Sequence, residues 1–474
     1  MLIDLSPSAA GWGKCDKLAE VPWQPFGDQD PAPDRSRSSG LFRRESSCAR
    51  GTGSRDRSLA QNLSERTLVF LLGGIQFVNV LDFMMVTPLG PDFSVALGIP
   101  NSRLGLVTGS YAAAASLAGM LGTFFLDRFD RRSAIGVSLV GLVIGTAAGG
   151  FATGLYSLLL ARVVAGLFGG PATSLAISIL TDLVAPERRG RAFGAVMGAF
   201  SVASVLGVPT GLWLSRHGGW RLPFFAVAGL GVTLGAACVL LLPSVRGHLD
   251  KRDAGASAEF SVERLVIRRE VVLALLTIAA SMMASFLIIP NMAAYFQYNC
   301  GVPRAHMEHI YAIGGVCSFF ALRIVGRLVD RYGSSTMAVG GTTALLAVIG
   351  CGFLFNRLLL PAEAIVALFM VAQSGRNIAA TTLSARVPRE RERARYQSLL
   401  SAVQHIASAM GAFLGTLVLV EIPGTQRILG MPRLAALSML LVSSQPVLVW
   451  MIQRTLDDRD RKRAASASTS SGQH

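Results

Sequence analysis

The chain has 474 residues, of which 51% are hydrophobic and only 15% are charged, and its mean hydropathy is +0.48. The core of a soluble protein of this length cannot bury that much apolar surface, which excludes a soluble enzyme or binding domain as the main body. The net charge of +15 is not gathered on one amphipathic face or in an aromatic patch, so nucleic acid is not expected as a partner.

Residues 1–64 are rich in Gly, Ser, Pro, Asp and Arg, which predicts a disordered N-terminal tail. From Thr67 onward, apolar runs of about twenty residues recur, the length that crosses about 30 Å of hydrocarbon. The predicted fold class is an all-α membrane protein with twelve transmembrane helices. The predicted spans are 67–89, 104–126, 134–153, 155–183, 192–214, 222–242, 271–298, 310–329, 337–355, 358–383, 399–420 and 434–452.

The longest hydrophilic break, 244–269, falls between the sixth and seventh spans and is predicted to be a central cytoplasmic loop. It separates an N-terminal six-helix half, 65–243, from a C-terminal half, 270–452, and a disordered tail, 453–474, is predicted to follow. We number each connection by the span before it. Lys and Arg concentrate in the tails and the even-numbered connections. Basic residues resist translocation, so both termini are predicted to be cytoplasmic. The predicted location is a cell inner membrane.

Polar residues interrupt the first span at Gln76, Asn79 and Asp82. A carboxylate inside the membrane costs on the order of a few kcal/mol unless it faces a cavity, a partner or a proton. Asp82 is the predicted proton carrier, because a carboxyl group can take up a proton when it is accessible from one side of the membrane and release it when it is accessible from the other. Gln76 and Asn79 are predicted to share its cavity. The alternative is a structural Asp82 that is hydrogen-bonded to a neighbouring helix.

A charged loop segment follows the second span and recurs after the eighth. LDRFDRR contains Asp127, and VDRYGSS contains Asp330, 203 residues later. A second pair, around Arg191 and Arg395, repeats with nearly the same offset of 204. Since six spans separate the copies, the two halves have the same membrane orientation and are related by an axis along the membrane normal. Binding is expected between the halves.

The second copy reads GRLVDRYG at 326–333 and resembles the loop signature G-x-L-a-D-R-x-G-R-R/K of the major facilitator superfamily. The resemblance extends from about Leu68 to Ile452 and implies two pseudo-symmetric six-helix halves. The first copy keeps its acid and arginines but has Thr123 and Asp130 where the family has glycine.

The resemblance also implies that this signature forms a conformational latch at the cytoplasmic face, which the rocking of the halves would break. The alternative is that these charges only fix the orientation of the spans in the membrane. The predicted latch residues are Asp127, Arg128, Arg131, Arg132, Gly326, Asp330, Arg331 and Gly333.

Arg162 in the fourth span matches the buried arginine of the family, which implies an influence on the protonation of a nearby acid, and Asp82 is the preferred partner. The fifth span is similar to the motif associated with antiporters of the superfamily. Close helix packing alone would also favour such glycines. The residues of this motif are Gly198, Gly207, Pro209 and Gly211.

The seventh span carries Asn291, Tyr295 and Tyr298 at i, i+4 and i+7, which places them on one helix face beside Pro290. Asn291 and Tyr295 are predicted to line the substrate cavity. For Tyr298 an interfacial position is favoured, because aromatic residues gather at the two membrane surfaces.

Arginines also interrupt the eighth and tenth spans. Arg323 can extend to the cytoplasmic surface, so it either binds an anion or has no role. Arg376 lies deeper, beside Asn377, and would attract an anionic group of a substrate. His405, after Gln404 in the eleventh span, is assigned to the cavity wall, although a packed, hydrogen-bonded histidine is the commoner arrangement.

The sequence contains no G-x-S-x-G, H-E-x-x-H or G-x-x-x-x-G-K-S/T motif, so neither an enzyme nor an ATP-driven pump is expected. The six cysteines form no C-x-x-C pair and have no histidine at metal-ligand spacing, so no metal is expected. No cofactor is predicted.

The stretch FVNVLDFMMVTPLGPDF resembles the twelve-helix drug and sugar efflux group of the superfamily. This resemblance implies proton-coupled export of a drug-like compound or a sugar by alternating access. The predicted partners are a small-molecule substrate, protons and the lipid bilayer, and a monomer is expected. The alternatives are an uptake symporter or facilitator for a small organic anion or metabolite, and a non-transporting membrane sensor.

Overall fold

The computed structural model describes residues 64–125, 129–243, 267–355, 358–388 and 392–471. Within these residues, twelve long helices, α1 to α12, follow one another along the chain. Eight are uninterrupted: α1 Glu65–Met85, α2 Leu104–Phe125, α3 Arg131–Gly150, α4 Leu155–Leu183, α6 Leu222–Leu241, α8 Met307–Tyr332, α10 Ala362–Ala385 and α11 Arg393–Val418. Most of the predicted N-terminal tail and central loop, and the latch residues Asp127 and Arg128, lie outside the described residues.

The other four long helices contain a break or a π-helical turn. They are α5 (Pro186–Met197, Ala199–Val202, the π-turn Ala203–Gly207 and Val208–Gly218), α7 (Arg269–Ala294 with the π-turn Tyr295–Asn299), α9 (Ser334–Ile349 with the π-turn Gly350–Leu354) and α12 (Met431–Ser443 and Gln445–Ser471).

Short elements lie in the connections between the long helices. They are the helix Gly90–Leu97, the 3-10 turns Asn101–Arg103 and Arg304–His306, and an antiparallel hairpin of β1 (Val420–Glu421) and β2 (Ile428–Leu429).

Eleven of these helices are long and apolar enough to cross a membrane. A spanning helix satisfies its backbone hydrogen bonds internally, which is why apolar runs of this length fold as helices in lipid. The remaining long helix, α10, has 24 residues but carries the polar run Gln373–Asn377, which lowers its hydropathy. It packs between α8 and α9. The prediction of an all-α membrane protein is confirmed.

The last helix is longer than its predicted span. It ends at Ser471, whereas the sequence analysis predicts a disordered tail from residue 453. The guanidinium of Arg459 donates hydrogen bonds to the backbone carbonyls of Arg386 and Val387, at 3.1 Å each. These bonds attach the extension to connection 10, and this contact supports the helix beyond the predicted span.

The two six-helix halves repeat the same set of helix contacts. In the first half α2 and α3 pack on α4, and α6 packs on α3; in the second half α8 and α9 pack on α10, and α12 packs on α9. Between the halves, the main contacts are α2 with α11 and α5 with α8, which we call the two seams. Moving six helices along the chain exchanges one seam for the other, as expected for a parallel repeat.

The apolar core distinguishes the two membrane faces. We call the face with connections 1, 3, 5, 7, 9 and 11 the odd face, and the opposite one the even face. Toward the odd face one apolar cluster includes residues of both halves, such as Phe93 and Phe296. Toward the even face each half has its own cluster, around Ile179 in one and Leu383 in the other. The halves are therefore packed together mainly at the odd face.

Two glycines allow this close packing. On α2, a Cβ atom at Gly105 would overlap the carbonyl oxygen of Ala412 in α11. On α8, a Cβ atom at Gly315 would overlap the carbonyl oxygen of Ser204 in α5. Small residues that let two backbones approach are what favours helix association in lipid. Each seam thus has a position that excludes every side chain larger than hydrogen.

Candidate functional site

The best-defined polar site is a buried ion pair between α1 and α4. Arg162 Nη1 lies 3.0 Å from Asp82 Oδ2, and Arg162 Nη2 lies 3.0 Å from Asp82 Oδ1. Thr146 of α3 donates a third hydrogen bond to Asp82 Oδ1 at 2.8 Å. The side chains of Asp82 and Arg162 are 0% and 1% exposed. The preferred partner of Asp82 in the sequence analysis is therefore the residue that it contacts.

Helical spacing on α4 places Arg162 in the interior. Arg162, Ala165, Gly166 and Gly169 lie on one buried face, and Gly166 is so close to α2 that a Cβ atom would overlap the carbonyl oxygen of Tyr111. The Arg162 guanidinium lies 5.7 Å from the centre of the Tyr111 ring. It also lies 5.5 Å from the ring of Phe224 in α6. The aromatic faces add cation–π contacts to the ion pair.

One turn before Asp82, Asn79 connects α1 to α2 and α4. Its Nδ2 donates to Thr173 Oγ1 at 2.6 Å and to the Gly169 carbonyl at 3.1 Å. Tyr111 Oη donates to Asn79 Oδ1 at 2.7 Å. Gln76, a further turn away, is 8% exposed, and its Oε1 has no hydrogen-bond partner in the described part of the chain. Gln76 and Asn79 thus continue the polar line that leads to the ion pair.

In the second half, Arg376 of α10 lies against α7. Its Nη2 donates to Gln373 Oε1 at 2.6 Å, and to Ser285 Oγ and the Ser281 carbonyl at 3.2 Å each. Asn377 Oδ1 accepts a hydrogen bond from Ser281 Oγ at 2.8 Å. Arg376 and Asn377, which the sequence analysis assigns to one cavity, share a polar cluster with two serines that it does not single out.

Three other predicted cavity residues occupy separate places. Asn291 is fully buried in α7 and donates to the carbonyl of Leu287 at 3.4 Å. The ring of Tyr295 packs 5.6 Å from that of Phe353, inside the apolar cluster of the odd face. The Nδ1 atom of His405 lies 2.8 Å from the carbonyl of Ser401, one turn earlier on α11. Their roles as substrate ligands remain predictions.

The described latch residues lie near the even face. Arg131 pairs with Asp182, at the end of α4, at 2.7 Å, and Arg132 donates to the Val239 carbonyl of α6. Both partners belong to the first half. In the second half Asp330 and Arg331 are exposed, Gly326 is half-buried, and Gly333, the N-cap residue before α9, has a φ of 85°. Such a φ strains any side chain larger than hydrogen.

The antiporter-like residues of α5 face α1. A Cβ atom at Gly207 would lie 2.7 Å from the Leu81 side chain, and one at Gly211 would lie 3.8 Å from Met85. Pro209 follows the π-turn Ala203–Gly207, which interrupts the regular helix just before it. Around Gly198 the Cβ position meets only the backbone of the preceding turn. The glycines thus bring α5 close to the helix that carries Asp82.

At the odd face, ion pairs join the halves. Arg304 of connection 7 binds Asp92 of connection 1 through two hydrogen bonds, Nε–Oδ1 at 2.6 Å and Nη2–Oδ2 at 2.5 Å. Ser215 of α5 donates to Asp92 Oδ2 at 2.7 Å. Arg216, next to it, pairs with Glu308 of α8 at 2.7 Å. The sequence analysis does not find these pairs, although isolated opposite charges in connections 1 and 7 are the available signal.

The odd face has one more polar link between the halves, from connection 1 to the hairpin of connection 11. The backbone N–H of Asn101 donates to the Glu421 carboxylate, and Asn101 Nδ2 donates to the Gln426 carbonyl at 3.2 Å. These bonds require the two halves to be in contact at this face. All of them must break if the face opens.

Known proteins share sequence with most of this chain. A chloramphenicol resistance protein of Streptomyces lividans is 27% identical over 285 residues, 58% of this chain and 69% of that protein. The inner membrane transport protein YdhP of Escherichia coli strain K12 is 27% identical over 266 residues, 56% of this chain and 66% of that protein. The purine ribonucleoside efflux pump NepI of the same strain is 24% identical over 282 residues, 60% of this chain and 68% of that protein.

Solved structures share the fold. A bacterial homolog of the human lysosomal transporter Spinster, inward-facing and unoccupied, matches with a TM-score of 0.68 at 18% identity over 83% of this chain and 98% of that chain. A D-xylose–proton symporter matches with a TM-score of 0.63 at 17% identity over 81% and 96%. The family model of the Major Facilitator Superfamily matches residues 72–412 and 275–469. Since these segments include nearly all of α1 to α12, the chain belongs to the Major Facilitator Superfamily, a family of membrane transporters.

Proposed function

We propose that this transporter exports a small organic molecule in exchange for protons. The observation that carries the proposal is the fully buried, bidentate Asp82–Arg162 pair, because a carboxyl group there is a membrane-embedded group that can take up and release a proton. The names of two relatives, a resistance protein and an efflux pump, support export. We place the protein in the inner membrane, like the relative whose name states that location.

Protonation of Asp82 would act on its partner. The ionised carboxylate holds the Arg162 guanidinium by two charge-assisted hydrogen bonds. A proton on Asp82 neutralises its carboxylate, so that the Arg162 guanidinium keeps mainly its cation–π contacts with the rings of Tyr111 and Phe224. Since these groups connect α1, α2, α4 and α6, the proton changes the packing of the first half. That change is the coupling step of the proposed cycle.

The proposed orientation follows from charge, since the even-numbered connections carry most of the basic residues. The even face is then cytoplasmic, and the structure corresponds to the state that is closed to the outside. The halves α1–α6 and α7–α12 would rock along the two seams. The Asp82 site lies inside the first half, among helices that include α1, α3, α4 and α6, and the Arg376 cluster lies inside the second half, between α7 and α10. Connections 2 and 8 would act as latches in the opposite state.

A second candidate is a facilitator or uptake symporter in which Asp82 is structural. The hydrogen bond from Thr146 favours it, because together with Arg162 it satisfies both carboxylate oxygens with protein donors. A permanently satisfied carboxylate would not need a proton at any stage. The two candidates differ in whether proton movement accompanies transport.

The test uses purified protein in proteoliposomes with an imposed pH gradient. The probes are radiolabelled chloramphenicol and a purine ribonucleoside, the compounds that the relatives' names carry, together with radiolabelled aromatic and aliphatic monocarboxylates, which the buried Arg376 would attract. An internal pH dye reports proton movement. We expect wild-type protein to couple probe movement to proton movement, and Asp82→Asn to lose coupling because its amide cannot ionise.

Asp460→Asn is the matched control. It makes the same chemical change in an exposed ion pair with Arg386 at the even face, outside the predicted latch. It is expected to keep proton-coupled transport. Equal probe movement in wild type and Asp82→Asn, with no proton flux in either, would refute antiport and leave the facilitator.

A further inference from the structure

The second half contains a buried cation with no counter-charge among the described residues. Arg376 is 0% exposed, and the three acceptors of its Nη2 atom are neutral groups. Its Nε and Nη1 atoms have no hydrogen-bond partner, and no ion pair of the described residues includes Arg376. Arg162, the buried arginine of the first half, by contrast bonds the Asp82 carboxylate through both Nη atoms, and only its Nε has no partner among the described residues.

The helix that Arg376 contacts has no acid at the position that corresponds to Asp82. α1 and α4 of the first half correspond to α7 and α10 of the second half, although Arg162 and Arg376 are 214 residues apart and do not occupy equivalent positions on their helices. The offset of 203 residues that relates Asp127 to Asp330 also relates Asp82 to Ser285. A hydroxyl group of α7 thus occupies the position at which α1 has its carboxylate.

Burial without a counter-charge is unfavourable for a guanidinium. Removing a charge from water is costly, and it is normally offset by an opposite charge or by hydrogen bonds to every donor. Within the described part of the chain Arg376 has neither, because two of its three nitrogens are unbonded there. A bound anionic group that accepts from these N–H donors would supply the missing charge.

The cluster is not closed on all sides. Gln373 and Asn377, on either side of Arg376 along α10, are half-buried rather than buried. They give the cluster a partly accessible edge, so a molecule that binds there would contact Gln373 and Asn377 first and Arg376 behind them.

We propose that Arg376, with Gln373 and Ser285, binds a carboxylate group of the transported molecule. The substrate is then an organic carboxylate, either an anion or a zwitterion. This inference rests on the proposed function in that the bound molecule is the cargo. It does not depend on proton coupling, since the Arg376 cluster shares no residue with the Asp82 site.

The first experiment measures binding without transport. The unfolding temperature of purified protein in detergent is followed with a panel of aromatic and aliphatic monocarboxylates, their matching primary amides, and sodium chloride. We expect some carboxylates to raise the unfolding temperature and their amides not to do so. In Arg376→Gln the affinity for those carboxylates should be at least about thirtyfold weaker, because a buried charge partner is lost.

Arg323→Gln is the matched control. Arg323 also lies within a span, on α8, but its side chain is exposed, 4.0 Å from the Phe319 ring. This variant should respond to carboxylates as wild type does. Equal responses of wild type and Arg376→Gln, a response to chloride alone, or no response to any carboxylate would each overturn the proposal.

A second variant needs no ligand. Ser285→Asp places a carboxylate beside Arg376, as Asp82 is beside Arg162. We expect a higher unfolding temperature without ligand and no further rise with carboxylates, and a lower temperature would overturn the proposal. Asp82→Asn should keep the carboxylate response. If Asp82→Asn keeps the carboxylate response and wild-type protein shows no proton coupling, the proposed antiport fails and the carboxylate site stands.

Discussion

The ion pair between Asp92 and Arg304 should hold the odd face closed. Because connections 1 and 7 belong to different halves, the pair exists only while the halves touch at that face. Replacing Arg304 with glutamine removes the charge and keeps most of the side-chain volume. Asp92 keeps its hydrogen bond from Ser215 and some contact with water, so the variant should still fold.

The size of the effect follows from burial. The Arg304 and Asp92 side chains are 24% and 18% exposed, so the pair is neither fully exposed nor fully buried. An exposed ion pair contributes about 0.2–1 kcal/mol to stability, and the disruption of a buried one costs about 3–5 kcal/mol. A bidentate pair in this range contributes about 2 kcal/mol. Its loss should raise the ratio of open to closed odd face by about thirtyfold.

Cys300 reports opening, because it lies in the same connection as Arg304 and is half-buried. Burial raises the pKa of its thiol, so little reactive thiolate forms while the face is closed. With the other cysteines replaced by alanine, the assay is the labelling rate with a membrane-impermeant maleimide. The rate should rise by about thirtyfold in Arg304→Gln, as long as the open state remains the minor one.

Arg427→Gln is the control, since Arg427 is exposed in the hairpin of connection 11 and forms no ion pair among the described residues. Arg216→Gln should have a smaller effect, at most about fivefold, because the Arg216 side chain is 40% exposed. Identical labelling rates in wild type, Arg304→Gln and Arg427→Gln would refute the reasoning. Exchanging the two charges, Asp92→Arg with Arg304→Asp, should restore part of the slow labelling.

Arg162→Gln should lower the free energy of unfolding by about 3–5 kcal/mol, because it leaves the Asp82 carboxylate buried and unpaired. Adding Asp82→Asn should recover part of that loss, and thermal unfolding of the single and double variants measures the coupling. Gly315→Ala should fold but transport at least about tenfold more slowly, since its methyl group meets the Ser204 carbonyl. Gly119→Ala, with open space at its Cβ, should transport normally; equal loss in both variants would contradict the close-packing argument.

Hydropathy predicts the helices of this protein well because each spanning helix must cover the same hydrocarbon thickness. The predicted and observed bounds of α2 and α4 differ by no more than one residue. The end of α12 is different, since the polar residues after Ile452 give no hydropathy signal. There the helix depends on contacts with connection 10, which only the folded chain provides.

The Asp82–Arg162 contact is predictable because a charge inside the membrane is costly unless an opposite charge pairs with it, and few opposite charges lie at that depth. The Asp92–Arg304 contact joins residues 212 apart in loops, where water can satisfy either charge alone. No local pattern marks such a pair. The absence of an acid near Arg376 is also hidden in the sequence, because it depends on which face of α7 turns toward α10.

The hairpin β1–β2 offers a way to stop the transporter from outside. It lies on the odd face, which we propose to be the non-cytoplasmic side of the inner membrane, and it is already joined to connection 1 of the other half through Asn101. An antibody fragment that binds the hairpin and connection 1 at the same time would hold the halves in the present arrangement. Such a binder never enters the substrate path, so its inhibition would be non-competitive and would persist at any substrate concentration.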